Sequence, residues 1–136
     1  MPINETYRTW IQRICELRPK QRKTQVQNFV WLLVGIFHSR SVSLSKIAGK
    51  VISTAKNVST VRRLSRFLAS SAVDVRNWYR STAKAWLMSQ AQQAGEIRLI
   101  VDGTKIGFGH QLLMVSLAYR HRAVPMAWTW IRYVRG

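Results

Sequence analysis

The chain has 136 residues, of which 22 are Lys or Arg and only 5 are Asp or Glu, a formal net charge of +17. That length holds one ordinary domain, or a small domain and part of a second. Hydrophobic residues make up 47% of the sequence and there are six tryptophans, which excludes a disordered tail.

A cationic excess of this size points to a polyanionic partner, nucleic acid ahead of anionic membrane; the plainer alternative is a generally soluble basic surface. The single cysteine, Cys15, excludes an internal disulfide and fits a reducing cytoplasm. It lies on a helical apolar pattern and reads as core rather than nucleophile. No zinc-type cysteine and histidine spacing occurs. The N-terminus opens on polar Pro-Ile-Asn-Glu, without an apolar signal region. Phe29 to Phe37 is the most apolar run but spans about half of what a bilayer requires, so it predicts a buried helix and no membrane partner.

In chain order, a first helix is predicted from an Asn4 N-cap, with Tyr7, Trp10, Ile11 and Ile14 on one face. Arg18-Pro19 ends it, because the residue before proline is biased away from helical angles. Lys20 to Lys23 reads as a basic linker. A second helix follows from about Thr24 to His38, with Val26, Phe29, Val30, Leu33 and Phe37 on one face. Trp31, Leu32, Val34 and Ile36 fill its other sides, which places it centrally among its neighbours.

The stretch from Ser41 to Leu68 reads as a short helix, a polar turn and a second short helix starting near Asn57 or Ser59. Such a pair resembles a helix-turn-helix, whose second helix can enter the major groove of duplex DNA. Val61, Leu64 and Leu68 are expected to face the core. Arg62, Arg63 and Arg66 are expected to project outward, where guanidinium forks suit phosphates and guanine edges. Lys46, Lys50 and Lys56 are the next candidates for the DNA footprint. A solvated basic face on an ordinary helical pair is the competing reading.

Ser71 to Asp74 breaks that helix and caps the next, which carries Val75, Trp78, Tyr79, Thr82 and Trp86 on one face and ends at Gly95, a C′ glycine. The aromatic stripe reads as packing rather than as a base-stacking platform. The boundary between a helical DNA-binding region, 1–95, and a strand region, 96–136, is placed there.

Three strands are predicted beyond it. Ile97 to Val101 is a short β-branched run ended by an Asp-Gly turn signal. Gln111 to Tyr119 and Ala123 to Ile131 follow, joined by a tight Arg120-His121-Arg122 connection. Gly103, Gly107 and Gly109 fit neither the dinucleotide nor the Walker spacing and read as turn glycines. The only acid in the region from Leu99 onward is Asp102. It has two readings: a turn former that caps its own backbone, or a ligand for a hard cation such as magnesium at the edge of a rigid sheet.

The segment Val101-Asp102-Gly103-Thr104-Lys105, the hairpin after it, and Pro125-Met126-Ala127-Trp128-Thr129-Trp130 together resemble the start of the catalytic domain of DDE insertion-sequence transposases. The resemblance covers about a quarter of the chain. It implies a ribonuclease-H-like fold and makes Asp102 the first catalytic, magnesium-binding aspartate. It also implies DNA transposition, with transposon ends as the partner. DDE chemistry uses three acids around two magnesium ions, yet no Asp or Glu follows Asp102. Glu5, Glu16 and Asp74 lie among the helices, and Glu96 is too far along the same strand to share a metal.

Since the sequence stops at Tyr133-Val134-Arg135-Gly136, it reads as an N-terminal, truncated or separately encoded part of a transposase, inactive alone. A homodimer or a complementing C-terminal fragment is the expected protein partner. The fold class expected is therefore α+β: helices that bind DNA, then the first three antiparallel strands of an incomplete ribonuclease-H-like domain. The competing functions are a non-enzymatic, repressor-like DNA-binding protein and, favoured only by charge, an RNA-binding protein.

Overall fold

The computed structural model describes residues 2–132, so the closing segment 133–136 lies outside the described residues. The architecture is α+β: five helices followed by a three-stranded antiparallel sheet. The chain forms two compact units, residues 1–73 and 74–136. Helix gives way to strand at Gly95, while compactness divides the chain at 73/74 and groups the fifth helix with the sheet.

The first unit holds α1 (Ile3–Leu17), α2 (Lys23–Ser39), α3 (Leu44–Ala48) and α4 (Asn57–Ala69). Helix α2 is central, packing against α1, α3 and α4. Its core face is Val26, Val30, Trp31 and Val34, which meet Tyr7, Ile47, Leu64 and Phe67. Side chains buried this fully contribute about 1.5–3 kcal/mol each. Gly35 lets α3 approach, since a Cβ there would stand 2.5 Å from Ile47 Cγ2.

Several expected faces are corrected. Asn4 is not the N-cap of α1: Pro2 is, with no side-chain cap, and its carbonyl accepts from the Glu5 and Thr6 N–H groups, which leaves Asn4 inside the first turn. Trp10 is exposed and Ile3 takes its place beside Tyr7, Ile11 and Ile14. On α2, Leu33 and Phe37 point to solvent, Phe37 at 74% exposure. On α4 the buried line is Thr60, Leu64 and Phe67, whereas Leu68 is exposed and Val61 half-buried. A wholly apolar helix such as α2 matches several stripes at once, and only the position of its neighbours selects one.

The second unit holds α5 (Val75–Ala94) and strands β1 (Leu99–Ile106), β2 (His110–Tyr119) and β3 (Arg122–Arg132), in the order β1-β2-β3. The Asp74 carboxylate accepts from the N–H groups of Arg76 and Asn77, a true N-cap. Gly95 closes the helix in the left-handed region at φ 68°. The face of α5 that packs on the sheet carries Tyr79, Ala83 and Leu87 against Leu117, Tyr119, Val124 and Met126. Val75 and Thr82, expected on that face, are exposed. A bulge between Val115 and Ser116 of the β2–β3 ladder puts Met126 out of register with β2 and into this core. Pro125 is tolerated there because β3 is an edge strand.

The largest correction concerns β1. The strand does not end at Asp102-Gly103; it runs through them to Ile106, and the turn lies at Gly107-Phe108-Gly109. Both turn glycines have positive φ, 63° and 90°. The apolar partner strand β2 offers ladder positions as far as His110, and pairing along all of them outweighs the local turn preference of Asp-Gly.

Candidate nucleic-acid interface

Helix α4 supplies the basic face. Its first turn follows Lys56, and Arg62 and Arg66, four residues apart, lie one turn above the other on its exposed side. Lys46 on α3 and Lys50 and Lys56 in the connection are also exposed. The Lys50 carbonyl accepts a 3.4 Å hydrogen bond from the Tyr7 hydroxyl. Burial pushes the Tyr7 phenol up to about 12. The α3–α4 connection spans residues 49–56, longer than the three to four residues of a standard helix-turn-helix.

Arg63 is the exception among the three arginines. It does not project outward. Its Nε donates to Asn28 Oδ1 at 2.7 Å and its Nη2 to Gln27 Oε1 at 2.8 Å. Its guanidinium lies 4.3 Å from the centre of the buried Trp31 ring. These contacts tie α4 to α2 and commit the side chain to the fold. Helical periodicity alone places residue 63 on the flank of the buried line, where either outcome is open. Beside it, a cleft of about 570 Å³ is lined by Gln25, Asn28, Ser59, Arg62, Arg66 and Ser70 among others. Every charged group on that lining among the described residues is an arginine, so the cleft carries positive formal charge alone.

Asp102 sits in the middle of β1, directly opposite Met114, and its Oδ1 accepts from the Gly103 N–H at 2.8 Å. The self-capping half of the turn-former reading is therefore present, without the turn. Among the described residues no group of three or more His, Cys, Asp or Glu could hold a metal ion. Glu96 lies ahead of the strand, with its Oε1 2.7 Å from Arg98 Nη2. A single exposed carboxylate does not supply a two-metal site, and the residues here do not fit magnesium by themselves.

Sequence reasoning left out one basic group. Arg120 and His121 form the β2–β3 turn and Arg122 opens β3, all at one end of the sheet beside Arg98. The signal was three consecutive basic-type residues in a connection read only as tight and polar.

No helix of the described residues is long and apolar enough to cross a membrane. Comparison with protein-family models, with curated proteins and with solved structures finds no match to this chain.

Proposed function

We propose that this chain binds duplex DNA through α4 and its flanking lysines, and that it is related to DDE transposases, with Asp102 at the position of their first catalytic aspartate. The observation that carries the binding half is the pairing of Arg62 and Arg66 on an exposed helix face beside a cleft whose only charged groups are arginines. Guanidinium forks at that spacing suit successive backbone phosphates, and the formal charge of +17 supplies attraction at longer range. The transposase half rests on the resemblance of the strand region. On this reading the ribonuclease-H-like domain is incomplete within these residues. On the same reading Asp102 is one ligand of a magnesium site whose other acids lie outside these residues. Terminal repeats of a transposon are the DNA partner and the cytoplasm is the setting.

A repressor-like DNA-binding protein without catalytic ancestry is the second reading, favoured by the place of Asp102 in the middle of β1, where its Oδ1 is engaged by the Gly103 N–H. Both readings share the DNA-binding surface, which is tested first. Replacing Arg62 and Arg66 together by Ala is expected to lower duplex affinity about tenfold and to flatten the salt dependence by about two contacts, with an unchanged melting temperature. Arg63→Ala is expected to do the reverse in stability, losing about 1–3 kcal/mol with its hydrogen bonds and ring contact. A double variant that binds as tightly as the parent, measured by fluorescence anisotropy, would move the footprint away from α4.

A further inference from the structure

The β2–β3 hairpin turns through only two residues, Arg120 and His121, with Tyr119 opposite Arg122. Their φ values are 45° and 62°, so both occupy the left-handed region. Two-residue turns of this hand are the territory of Asn-Gly, because a Cβ in that region crowds the following carbonyl. Arg and His are poor choices for the fold. Strain of this kind persists where the side chains serve something else.

The side chains here are all of one chemical type. Arg120, His121 and Arg122 line a cavity of about 730 Å³ together with Arg98, Glu96 and Tyr119. Among the described residues Glu96 is the single acid of this lining, and it is already matched, since both Nε and Nη2 of Arg98 lie within 2.8 Å of its Oε1. Arg120 and Arg122 are exposed, and neither forms an ion pair with an acid among the described residues. The Arg120 guanidinium stands 5.2 Å from the centre of the Tyr119 ring, which in turn packs edge-on against Trp86 of α5 at 5.0 Å. The cation is thus held over a braced aromatic platform rather than left to wander.

We propose that the tip Arg120-His121-Arg122 is a second DNA contact, gripping backbone phosphates of a duplex independently of α4. Planar guanidiniums flanking a tight turn match the bidentate geometry of phosphate oxygens. The cavity lies open at the end of a hairpin, a shape that admits a polymer backbone more readily than it encloses a small anion. This inference rests on the DNA-binding reading above, and the experiment separates the two.

Binding of a labelled duplex, and of an RNA stem-loop, to the full chain is measured across a salt series for the α4 double variant and three hairpin variants. Arg120→Ala with Arg122→Ala is expected to lower the salt slope by about 1.8, at about 0.9 per phosphate contact. Arg120→Lys with Arg122→Lys is expected to keep the slope. Arg120→Asn with His121→Gly, which installs the preferred turn residues, is expected to raise the melting temperature while weakening DNA binding. If the α4 double variant binds more weakly but the hairpin variants match the parent, the tip is not a DNA contact and the α4 reading stands. If the parent binds no duplex, both fall. A loss confined to an RNA stem-loop would assign the tip to RNA and overturn the proposal.

Discussion

Individual side chains show how one residue type serves opposite ends in this chain. Arg62 and Arg66 face solvent, while Arg63 between them closes two hydrogen bonds and a ring contact inside the first unit. Tyr7 illustrates a second consequence of burial. Its phenol titrates near 12 in the fold against about 10 in an unfolded chain. The folded state therefore favours the protonated, neutral form, so this contribution is complete below pH 10 and is lost as pH rises from 10 through about 12. Alkaline melting should show it: the fall in melting temperature between pH 9 and pH 12 is expected to be smaller in Tyr7→Phe than in the parent. Equal slopes would mean that the phenol is no more buried in the fold than in the unfolded chain.

At the scale of elements, much was legible and the failures share a cause. Asp74 and Gly95 bound α5 as local chemistry predicts, since a carboxylate cap and a left-handed glycine act within one turn. The bounds of α2 and the start of α4 at Asn57 were also readable. What local chemistry could not supply was the choice among competing faces on α1, α2 and α4, which depends on partners distant in sequence. The same holds for β1, where Asp-Gly signalled a turn and the ladder to β2 carried the strand past it to Ile106. At the candidate site, the exposure of Arg62 and Arg66 was legible, but the inward commitment of Arg63 needed Gln27, Asn28 and Trp31 from another helix. Gly35 gives a test of this packing. Adding a methyl there forces Ile47 to move, so Gly35→Ala is expected to destabilise the first unit by about 1–3 kcal/mol in chemical denaturation, despite its better helix propensity. A neutral or stabilising result would show that α3 yields freely.

Taken whole, the molecule combines a basic, well-packed helical unit with a sheet that leaves much apolar surface open. All eight residues of β1 are exposed, including Leu99, Ile100, Val101 and Ile106, and its outer edge has no strand partner among the described residues. The other edge, β3, is blunted by Pro125 and the bulge at Met126. An open apolar edge invites pairing with another chain. Size-exclusion chromatography is therefore expected to show concentration-dependent self-association that Val101→Lys suppresses. A parent that stays monomeric at every concentration would show that β1 is no association edge.

The binding claim itself is tested most directly by the salt dependence of duplex binding by the unaltered full chain, with an RNA stem-loop as competitor. Log affinity is expected to fall linearly with log salt, with a slope of several units set by the phosphates that Lys and Arg neutralise, and the duplex is expected to outcompete the RNA. Failure to bind duplex at low salt, or displacement by the stem-loop at lower concentration than by duplex, would contradict it.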